Sequence, residues 1–222
     1  MINKLINGDC FKILPKIKKN SAQLIFTSVP DLNDLGMNNE EIIVYETFID
    51  NALKQFARII KDDGFIAMCQ SDRKMDGQVY SKHSMLIRKM YDLKFILKDY
   101  KIIIKDVSSK DQYRFPYQHL CVFTRKGTIT RNGEWLNNIF IYDMKKHKIG
   151  PFYTFPIDFV KLIISSLTVK NEIVIDPFAG SGVVPHIAKA MNRQYLGIEI
   201  NKELYNDSIE KGLDEEESIY TN

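Results

Sequence analysis

The chain is poor in cysteine and in long hydrophobic runs. Its 222 residues include three cysteines, Cys10, Cys69 and Cys121, which are far apart and lack metal-ligand spacing. They argue against a disulfide framework or a cysteine-based zinc site and favour a reducing compartment. No apolar run reaches the roughly 20 residues that span a bilayer, and the N-terminus lacks the apolar core of a signal peptide. We therefore expect a cytoplasmic protein that does not contact a membrane.

Excess charge and ligand-spaced histidines are also scarce. The net charge of +3 permits contact with nucleic acid but does not require it. The four histidines lack ligand spacing, so we assign no metal to them: His83, His119, His147 and His186. A composition of 45% hydrophobic and 27% charged residues is ordinary for a globular protein. The length suits a single α/β domain over residues 1–222 with a short insertion.

One stretch, residues 172–201, has the order strand, glycine turn, helix, strand, acidic residue. Ile173-Val174-Ile175 is an apolar run typical of a buried strand. The turn that follows, Asp176-Pro177-Phe178-Ala179-Gly180-Ser181-Gly182, contains glycines that can adopt positive φ and let a ligand approach the backbone. Glu199, at the end of the next strand, is placed to accept hydrogen bonds from ribose hydroxyls. The pattern predicts half of a nucleotide site without the dinucleotide fingerprint or a P-loop lysine.

Strands alternate with helices along the chain, which predicts a doubly wound, mostly parallel α/β sheet. The predicted strands are 1–6, 21–27, 65–69, 94–105, 120–125, 173–175 and 195–200. The predicted helices are 11–19, 45–61 (ended by Asp63-Gly64), 79–91, 157–167 and 183–191. The polar segments 31–44 and 70–77 are predicted to be loops. Ligands bind such sheets at the carboxyl ends of the strands, where Asp9, residues 28–31 and residues 176–182 all fall.

The heptapeptide Asp176–Gly182 resembles the S-adenosylmethionine-binding motif of the amino-methylating DNA methyltransferases. Its late position, after an early Ser-x-Pro cluster at Ser28-Val29-Pro30-Asp31, is similar to the permuted β group of that family. The resemblance covers nearly the whole chain. It implies a Rossmann-like fold in permuted order, S-adenosylmethionine as cofactor, DNA as partner, and methyl transfer to the exocyclic amine of adenine (N6) or cytosine (N4).

The same resemblance implies a set of cofactor-binding residues. In the family the glycine loop passes under the methionine part of the cofactor, and the acidic residue after the second strand holds the ribose. Asn7-Gly8-Asp9-Cys10 matches the turn beside the adenine, and residues 150–156 match a segment before a cofactor-side helix, although its His-Pro is absent. The implied residues are Asp9, Cys10, Thr27, Phe155, Asp176, Pro177, Phe178, Ala179, Gly180, Ser181, Gly182, Glu199, Ile200 and Asn201.

The catalytic motif departs from the family pattern. The family carries Asp, Asn or Ser, then Pro-Pro, then an aromatic residue that stacks on a flipped base; this chain has Ser28, Val29, Pro30 and Asp31. Ser28 and the Val29 carbonyl can still accept hydrogen bonds from the target amine, but Asp31 cannot stack. Asp31 could point outward while another aromatic stacks, or hydrogen-bond an unusual target, or mark a non-catalytic chain. The candidate aromatics are Tyr45, Phe115 and Tyr117.

Basic and aromatic residues interleave between positions 101 and 148, which fits neutralisation of DNA phosphates combined with base contacts. The candidate phosphate contacts are Lys101, Lys105, Lys110, Arg114, Arg125, Lys126, Arg131, Lys145, Lys146 and Lys148. Within this region, residues 128–150 are predicted to be a short target-recognition insert. Its size predicts a short or relaxed target, or a homodimer that shares recognition.

Two competing functions stay open from the sequence. The altered motif fits a catalytically degenerate methyltransferase fold that binds DNA or an active partner subunit. Methylation of RNA or of a protein amide is a third, less favoured function. The degenerate chain would bind the cofactor poorly or without turnover, whereas the RNA or protein methylase would differ in its acceptor.

Overall fold

The structure is a computed structural model that describes residues 2–105, 115–126, 137–142, 148–149 and 152–212. The strands are β1 Lys4–Asn7, β2 Ala22–Ser28, β3 Ile60–Gln70, β4 Arg73–Met75, β5 Gln78–Tyr80, β6 Ile96–Ile104, β7 Tyr117–Thr124, β8 Ile139–Ile141, β9 Lys148–Ile149, β10 Phe152–Tyr153, β11 Ile173–Asp176 and β12 Gln194–Glu199. The helices are α1 Cys10–Ile13, α2 Ile42–Ile59, α3 Lys82–Asp92, α4 Ile157–Leu167, α5 Val183–Ala190 and α6 Lys202–Gly212.

Eight of these strands form one sheet in the order β1-β12-β11-β2-β3-β7-β6-β8. The pairings from β1 through to β3 are parallel, β7 is antiparallel to both its neighbours, and β8 is parallel to β6. Helices α2 and α3 bury apolar side chains on one face of the sheet, and α4 and α5 do so on the other. The predicted doubly wound, mostly parallel α/β fold is confirmed.

The apolar periodicity located the helices better than it located their ends. Helix α4 has the predicted bounds, whereas α1 ends at Ile13 and continues as a 3₁₀ turn, Leu14–Lys16. Pro15 explains the change, because proline lacks the N–H of a regular helical turn. The expected loops are also more regular than predicted: 31–44 contains the 3₁₀ turns Asn33–Leu35 and Asn39–Glu41, and 70–77 includes β4 and the turn of its hairpin with β5.

The predicted end of the second helix at Asp63-Gly64 is wrong. Helix α2 ends at Ile59, and β3 begins at the next residue, so Gly64 lies inside a strand. A Cβ at Gly64 would lie 2.8 Å from Ile60 Cγ1 and 3.0 Å from the Gln23 carbonyl oxygen. The glycine therefore permits a close approach between β2 and β3 at a point where their register shifts.

Gly197, in the middle of β12, brings β1 and α5 close to the strand that ends at Glu199. A Cβ at this position would lie 2.5 Å from Leu5 Cδ1 and 2.9 Å from Pro185 Cγ. We expect Gly197→Ala to lower the free energy of unfolding by about 1–3 kcal/mol, because overpacking forces strand and helix apart. Chemical denaturation measures the loss. The matched control is Gly77→Ala, at a turn with nothing within 4 Å of the added Cβ. Because Gly77 has a positive φ, this control loses stability only through local backbone strain. An equal loss of stability in both variants would contradict the packing argument.

Candidate active site

A cavity of about 500 Å³ opens at the carboxyl ends of β1, β2 and β12 and at the glycine turn after β11. Its lining includes most of the predicted site residues: Asp9, Cys10, Ser28, Val29, Pro30, Pro177, Phe178, Gly180, Ser181, Glu199, Ile200 and Asn201. Thr27, Asp31, Phe155, Asp176, Ala179 and Gly182 were also predicted but are not among the lining residues. The three sequence clusters therefore meet at one edge of the sheet.

Glu199 fastens the glycine turn to the end of β12. Its Oε2 accepts a hydrogen bond from the backbone N–H of Gly180 at 2.7 Å, and its Oε1 accepts one from Asn201 at 2.8 Å. Burial raises the pKa of Glu199, and these backbone donors oppose the rise. A carboxylate has about four lone-pair directions, and the backbone groups of Gly180, Asn201 and Ile200 occupy three of them. Glu199 lines the cavity with capacity for a further donor.

The turn itself depends on its two glycines. Gly180 has φ 52° and Gly182 has φ 76°, in the left-handed region where a side chain is strained. No atom lies within 4 Å of the position that a Cβ on Gly180 would occupy. The space above Gly180 is therefore open to a ligand, as the sequence predicted.

Asp176 lies under the turn rather than in the cavity wall. Its Oδ1 accepts hydrogen bonds from the Thr27 hydroxyl at 2.6 Å and from the Phe178 backbone N–H at 3.1 Å. Burial raises the pKa of Asp176 to about 7, although the Thr27 and Phe178 hydrogen bonds oppose the rise. Asp176 and Thr27 thus join β11 to β2 and set the path of the turn between the two halves of the cavity.

The segment before α4, in which Phe155 was predicted to bind the cofactor, contacts the glycine turn through Thr154. The Ser181 hydroxyl donates to Thr154 Oγ1 at 2.8 Å, and both side chains are buried. Phe155 instead stacks on Phe26, with ring centroids 5.6 Å apart. Phe155 therefore supports β2 from below, and Thr154 makes the contact with the turn.

An aromatic wall of the cavity was not identified from the sequence. Phe11 and Phe48 meet edge to face with centroids 5.2 Å apart, and Phe48 lies 5.8 Å from Phe178. All three line the cavity. Phe48 lies within the predicted helix 45–61, and helical periodicity alone does not distinguish a core position from one at the rim of a cavity.

The Ser28-Val29-Pro30 segment leaves β2 at the opposite side of the glycine turn. Ser28 is exposed, and the Val29 N–H donates to the Cys69 carbonyl at 3.0 Å. The Pro30 carbonyl accepts a hydrogen bond from the Tyr45 hydroxyl at 3.0 Å, and Gln70 donates to that hydroxyl at 3.1 Å. Tyr45 is completely buried, so the suggestion that it stacks on a target base is wrong.

Asp31 points away from the cavity and into an ion-pair cluster. Its Oδ1 lies 3.0 Å from Lys82 Nζ and 3.4 Å from Arg73 Nη1. Lys82 is fully buried, which lowers its pKa, and the Asp31 charge opposes that change. This geometry agrees with the first of the three interpretations, in which Asp31 faces outward. No feature of the sequence distinguished Lys82 from a solvated lysine at the start of a helix.

The structure describes only part of the set of expected phosphate contacts. Lys110, Arg114, Arg131, Lys145 and Lys146 lie outside the described residues, as do most of residues 128–150. The prediction that Lys101 contacts phosphate is wrong, because Lys101 is 2% exposed and pairs with Asp99 at 2.9 Å. The Arg125 side chain also makes contacts within the protein: it packs over the Phe95 ring at 4.2 Å and donates to the Ala57 carbonyl.

The described part of the chain contains no helix both long and apolar enough to cross a membrane. Cys10, Cys69 and Cys121 are buried free thiols. Burial raises the pKa of both Cys10 and Cys121 to about 12, so these thiols are held protonated at neutral pH. They are therefore poor nucleophiles.

Comparison with known proteins identifies the family. The model of the DNA methylase family N6_N4_Mtase matches residues 22–210. The type II methyltransferase M.HindIII of Haemophilus influenzae is 38% identical over 66 residues, which are 29% of this chain and 21% of that protein. The putative methylase YubD of Escherichia coli is 23% identical over 203 residues, covering 90% of this chain and 85% of that protein.

A solved structure has the same fold. The PvuII DNA methyltransferase, which is cytosine-N4-specific, superposes with a TM-score of 0.80 at 18% identity, over 97% of this chain and 88% of that one. The fold, the glycine turn and the family match over most of the chain agree with one another. The chain therefore belongs to the DNA methylase family N6_N4_Mtase, the DNA amino-methyltransferases.

Proposed function

We propose that this DNA methylase transfers the methyl group of S-adenosylmethionine to the exocyclic amine of adenine (N6) or cytosine (N4) in DNA. The observation that carries the proposal is that one cavity is lined both by the glycine turn with Glu199 and by Ser28-Val29-Pro30. Its volume of about 500 Å³ lies within the range of small-molecule sites. Cofactor and target amine can therefore meet without a large movement of the sheet.

The residues of the glycine turn fit the cofactor by their chemistry. The remaining acceptor capacity of Glu199 suits a ribose hydroxyl, and the open space over Gly180 suits the methionine part. The aromatic wall of Phe11, Phe48 and Phe178 suits a planar adenine ring. Asp9 caps α1 by accepting from the Phe11 N–H at 2.8 Å, which fixes the edge of that wall. Cys10, Ile200 and Asn201 complete the lining on this side.

The Ser28 side of the cavity supplies acceptors for an amine. The Ser28 hydroxyl and the Val29 carbonyl accept its two N–H groups, which directs the nitrogen lone pair at the methyl. When bound, S-adenosylmethionine would supply an electrophilic methyl carried on a sulfonium, and Ser28 and the Val29 carbonyl would hold the amine that receives it. Pro30 restricts the backbone φ, and Tyr45 holds the Pro30 carbonyl, so the acceptors are preorganised.

Because the fourth residue of the motif is Asp31 rather than an aromatic residue, another element has to supply the ring that stacks on the base. Phe115 and Tyr117 remain candidates: both are half-buried, with ring centroids 5.5 Å apart. Lys74 lies over the Phe115 ring at 5.4 Å. Stacking on one such ring contributes about 1–3 kcal/mol per base, which is enough to hold a flipped base without an aromatic at position 31.

The proposal includes a single catalytic domain over residues 1–222, with residues 128–150 reading the DNA sequence. Of that insert, the described part adds β8 beside β6 at the sheet edge. A homodimer that shares recognition and a cytoplasmic location are parts of the same proposal. Sedimentation in the absence and presence of DNA tests the first, and cell fractionation tests the second.

The decisive experiment is transfer of labelled methyl from S-adenosylmethionine to double- and single-stranded DNA, followed by nucleoside digestion and mass analysis. Labelled N6-methyladenine or N4-methylcytosine would establish the reaction and identify the base. Absence of label in DNA, with cofactor binding intact, would instead favour the degenerate binding protein or another acceptor. Competition by RNA and by protein substrates separates those two outcomes.

We expect Ser28→Ala to lower kcat by about 100-fold, because it removes a preorganised acceptor that acts on the reacting amine. The matched control is Ser21→Ala, just before the other end of β2, where the hydroxyl donates to the Lys18 carbonyl at 2.6 Å. Steady-state rates and cofactor affinity are measured for both variants. Equal rates in the two variants would exclude Ser28 from the reacting centre.

A further inference from the structure

We propose that Asp72, His83 and His119 form a binding site for a divalent transition-metal ion, with Zn²⁺ as the best match. Asp72 follows β3, His83 lies in the first turn of α3, and His119 lies in β7. One ligand atom from each residue lies within 4.8 Å of the other two. The sequence predicted no metal because these residues lack ligand spacing; the antiparallel pairing of β3 and β7, with Gln70 opposite His119, brings them together.

The distances suit a metal ion of ordinary size. His83 Nδ1 lies 2.8 Å from Asp72 Oδ1, and His119 Nε2 lies 3.5 Å from Asp72 Oδ2. A tetrahedral zinc ion with bonds of about 2.0–2.1 Å places its ligand atoms roughly 3.3 Å apart. The rings of His83 and His119 are stacked with their centroids 3.8 Å apart, so the two imidazoles lie on the same side of the cluster.

His119 carries the second observation that points to a ligand. It is 5% exposed, and its Nε2 makes no well-formed hydrogen bond with the residues that the structure describes, although Asp72 Oδ2 lies 3.5 Å away. Its other nitrogen, Nδ1, is hydrogen-bonded to the Tyr100 hydroxyl. A ring fixed through one nitrogen with the other free is the arrangement of metal-binding histidines, whose orientation is set by a second partner.

The donor set selects the class of ion. Two imidazoles and one carboxylate suit Zn²⁺ and neighbouring transition metals, whereas Mg²⁺ and Ca²⁺ prefer oxygen ligands. The Asp72 carboxylate is held beside the two rings by a hydrogen bond from the His83 backbone N–H at 3.2 Å. The His83 side chain is 21% exposed, which gives an ion a path from solvent and leaves a fourth position for water.

The position of this site suggests what the ion would do. His83 is the neighbour of Lys82, which pairs with Asp31 beside the Ser28-Val29-Pro30 acceptors. An ion would connect the first turn of α3 to β7 and to the segment that follows β3. It would thereby hold Lys82 in place, together with the loop at residues 28–31 that Lys82 contacts through Asp31. This inference concerns binding of a metal and does not depend on the methyl-transfer proposal.

The test uses the full chain, stripped with chelator, and Zn²⁺ alone as the probe. We expect one equivalent of Zn²⁺ to bind by calorimetry, Mg²⁺ not to compete, and Co²⁺ to give a visible spectrum with imidazole ligation. Zn²⁺ at 100-fold above its Kd should raise Tm by roughly 5–10 °C, because a ligand that binds only the folded state stabilises it.

Substitution of the proposed ligand residues tests where Zn²⁺ binds. His83→Gln and His119→Gln are expected to weaken Zn²⁺ binding by about 100-fold or more, whereas His186→Gln, at a buried histidine in α5, should leave it unchanged. Because the His83 side chain is partly exposed, we expect His83→Gln to fold normally. A wild-type chain that binds no Zn²⁺, or a His83→Gln variant that binds it equally well, would overturn the proposal and leave a metal-free hydrogen-bonded cluster.

Discussion

Asp176→Ala is expected to lower the affinity for S-adenosylmethionine by about 100-fold. The substitution removes the acceptor of two buried donors, the Thr27 hydroxyl at 2.6 Å and the Phe178 N–H at 3.1 Å. An unsatisfied buried donor costs about 1–3 kcal/mol, and about 2.7 kcal/mol corresponds to 100-fold in Kd. The glycine turn then loses the contact that sets its path over the cavity. Calorimetric titration with the cofactor measures the change.

The matched variant is Asp176→Asn, which keeps an oxygen at Oδ1 for both donors and removes the charge. If the turn geometry is what matters, Asn binds the cofactor far better than Ala. If the cofactor ammonium needs the carboxylate, the two variants are equally impaired. Unchanged affinity in Asp176→Ala would place the cofactor site elsewhere in the chain.

The raised pKa of Asp176 gives the same residue a pH signature. Burial raises this pKa to about 7, well above the usual value near 3.9 in an unfolded chain. The folded protein therefore holds a proton that the unfolded chain has lost, and this stabilisation is fully present below about pH 4 and disappears as the pH rises through about 7. Relative to Asp176→Asn, the wild-type free energy of unfolding should fall over that interval, which denaturation at several pH values measures.

The geometry of the glycine turn could be predicted because its parts are close in sequence. Gly180, Gly182 and Glu199 lie within one strand–turn–helix–strand unit, where period and turn chemistry act locally. The glycines adopt the positive φ that the turn required, and Glu199 ends β12. Local sequence therefore encodes both the element order and the chemistry of that unit.

Features that depend on strand register or on distant packing were not predictable. Tyr45 was considered as a stacking partner, but α2 places it in the core with its hydroxyl on Pro30. Lys82 is brought to Asp31 by packing of α3 against the sheet, and nothing in its local sequence marks it as buried. His119 meets Asp72 because of one antiparallel register between β3 and β7.

The Lys82–Asp31 pair leads to the second large expected effect. Asp31→Tyr, which installs the aromatic residue of the family motif, is expected to lower the free energy of unfolding by about 2–4 kcal/mol. The substitution leaves Lys82, a fully buried lysine, without its partner, and an uncompensated buried charge is strongly destabilising. The partly exposed carboxylate places the loss toward the lower end of that range. Chemical denaturation of the two proteins measures it.

A double variant separates lost pairing from poor fit of the tyrosine. Asp31→Tyr with Lys82→Met removes both charges, and should recover most of the lost stability, because replacing a buried ion pair by apolar side chains is often neutral. The matched control is Asp62→Tyr, at an exposed carboxylate whose pairs with Arg125 and Lys126 are 3.8 Å and 4.0 Å long. It should change stability by less than about 0.5 kcal/mol.

The same variants decide how the chain manages without an aromatic at position 31. If Phe115 or Tyr117 already holds the base, adding Tyr at position 31 in the Lys82→Met background leaves the methyl-transfer rate unchanged. If Val29→Pro with Asp31→Tyr is required before any transfer occurs, the natural loop is the degenerate one and the chain acts by binding. The Lys82→Met background removes the unpaired buried charge. If Asp31→Tyr with Lys82→Met is inactive, that inactivity cannot be attributed to Lys82 misfolding the loop at residues 28–31.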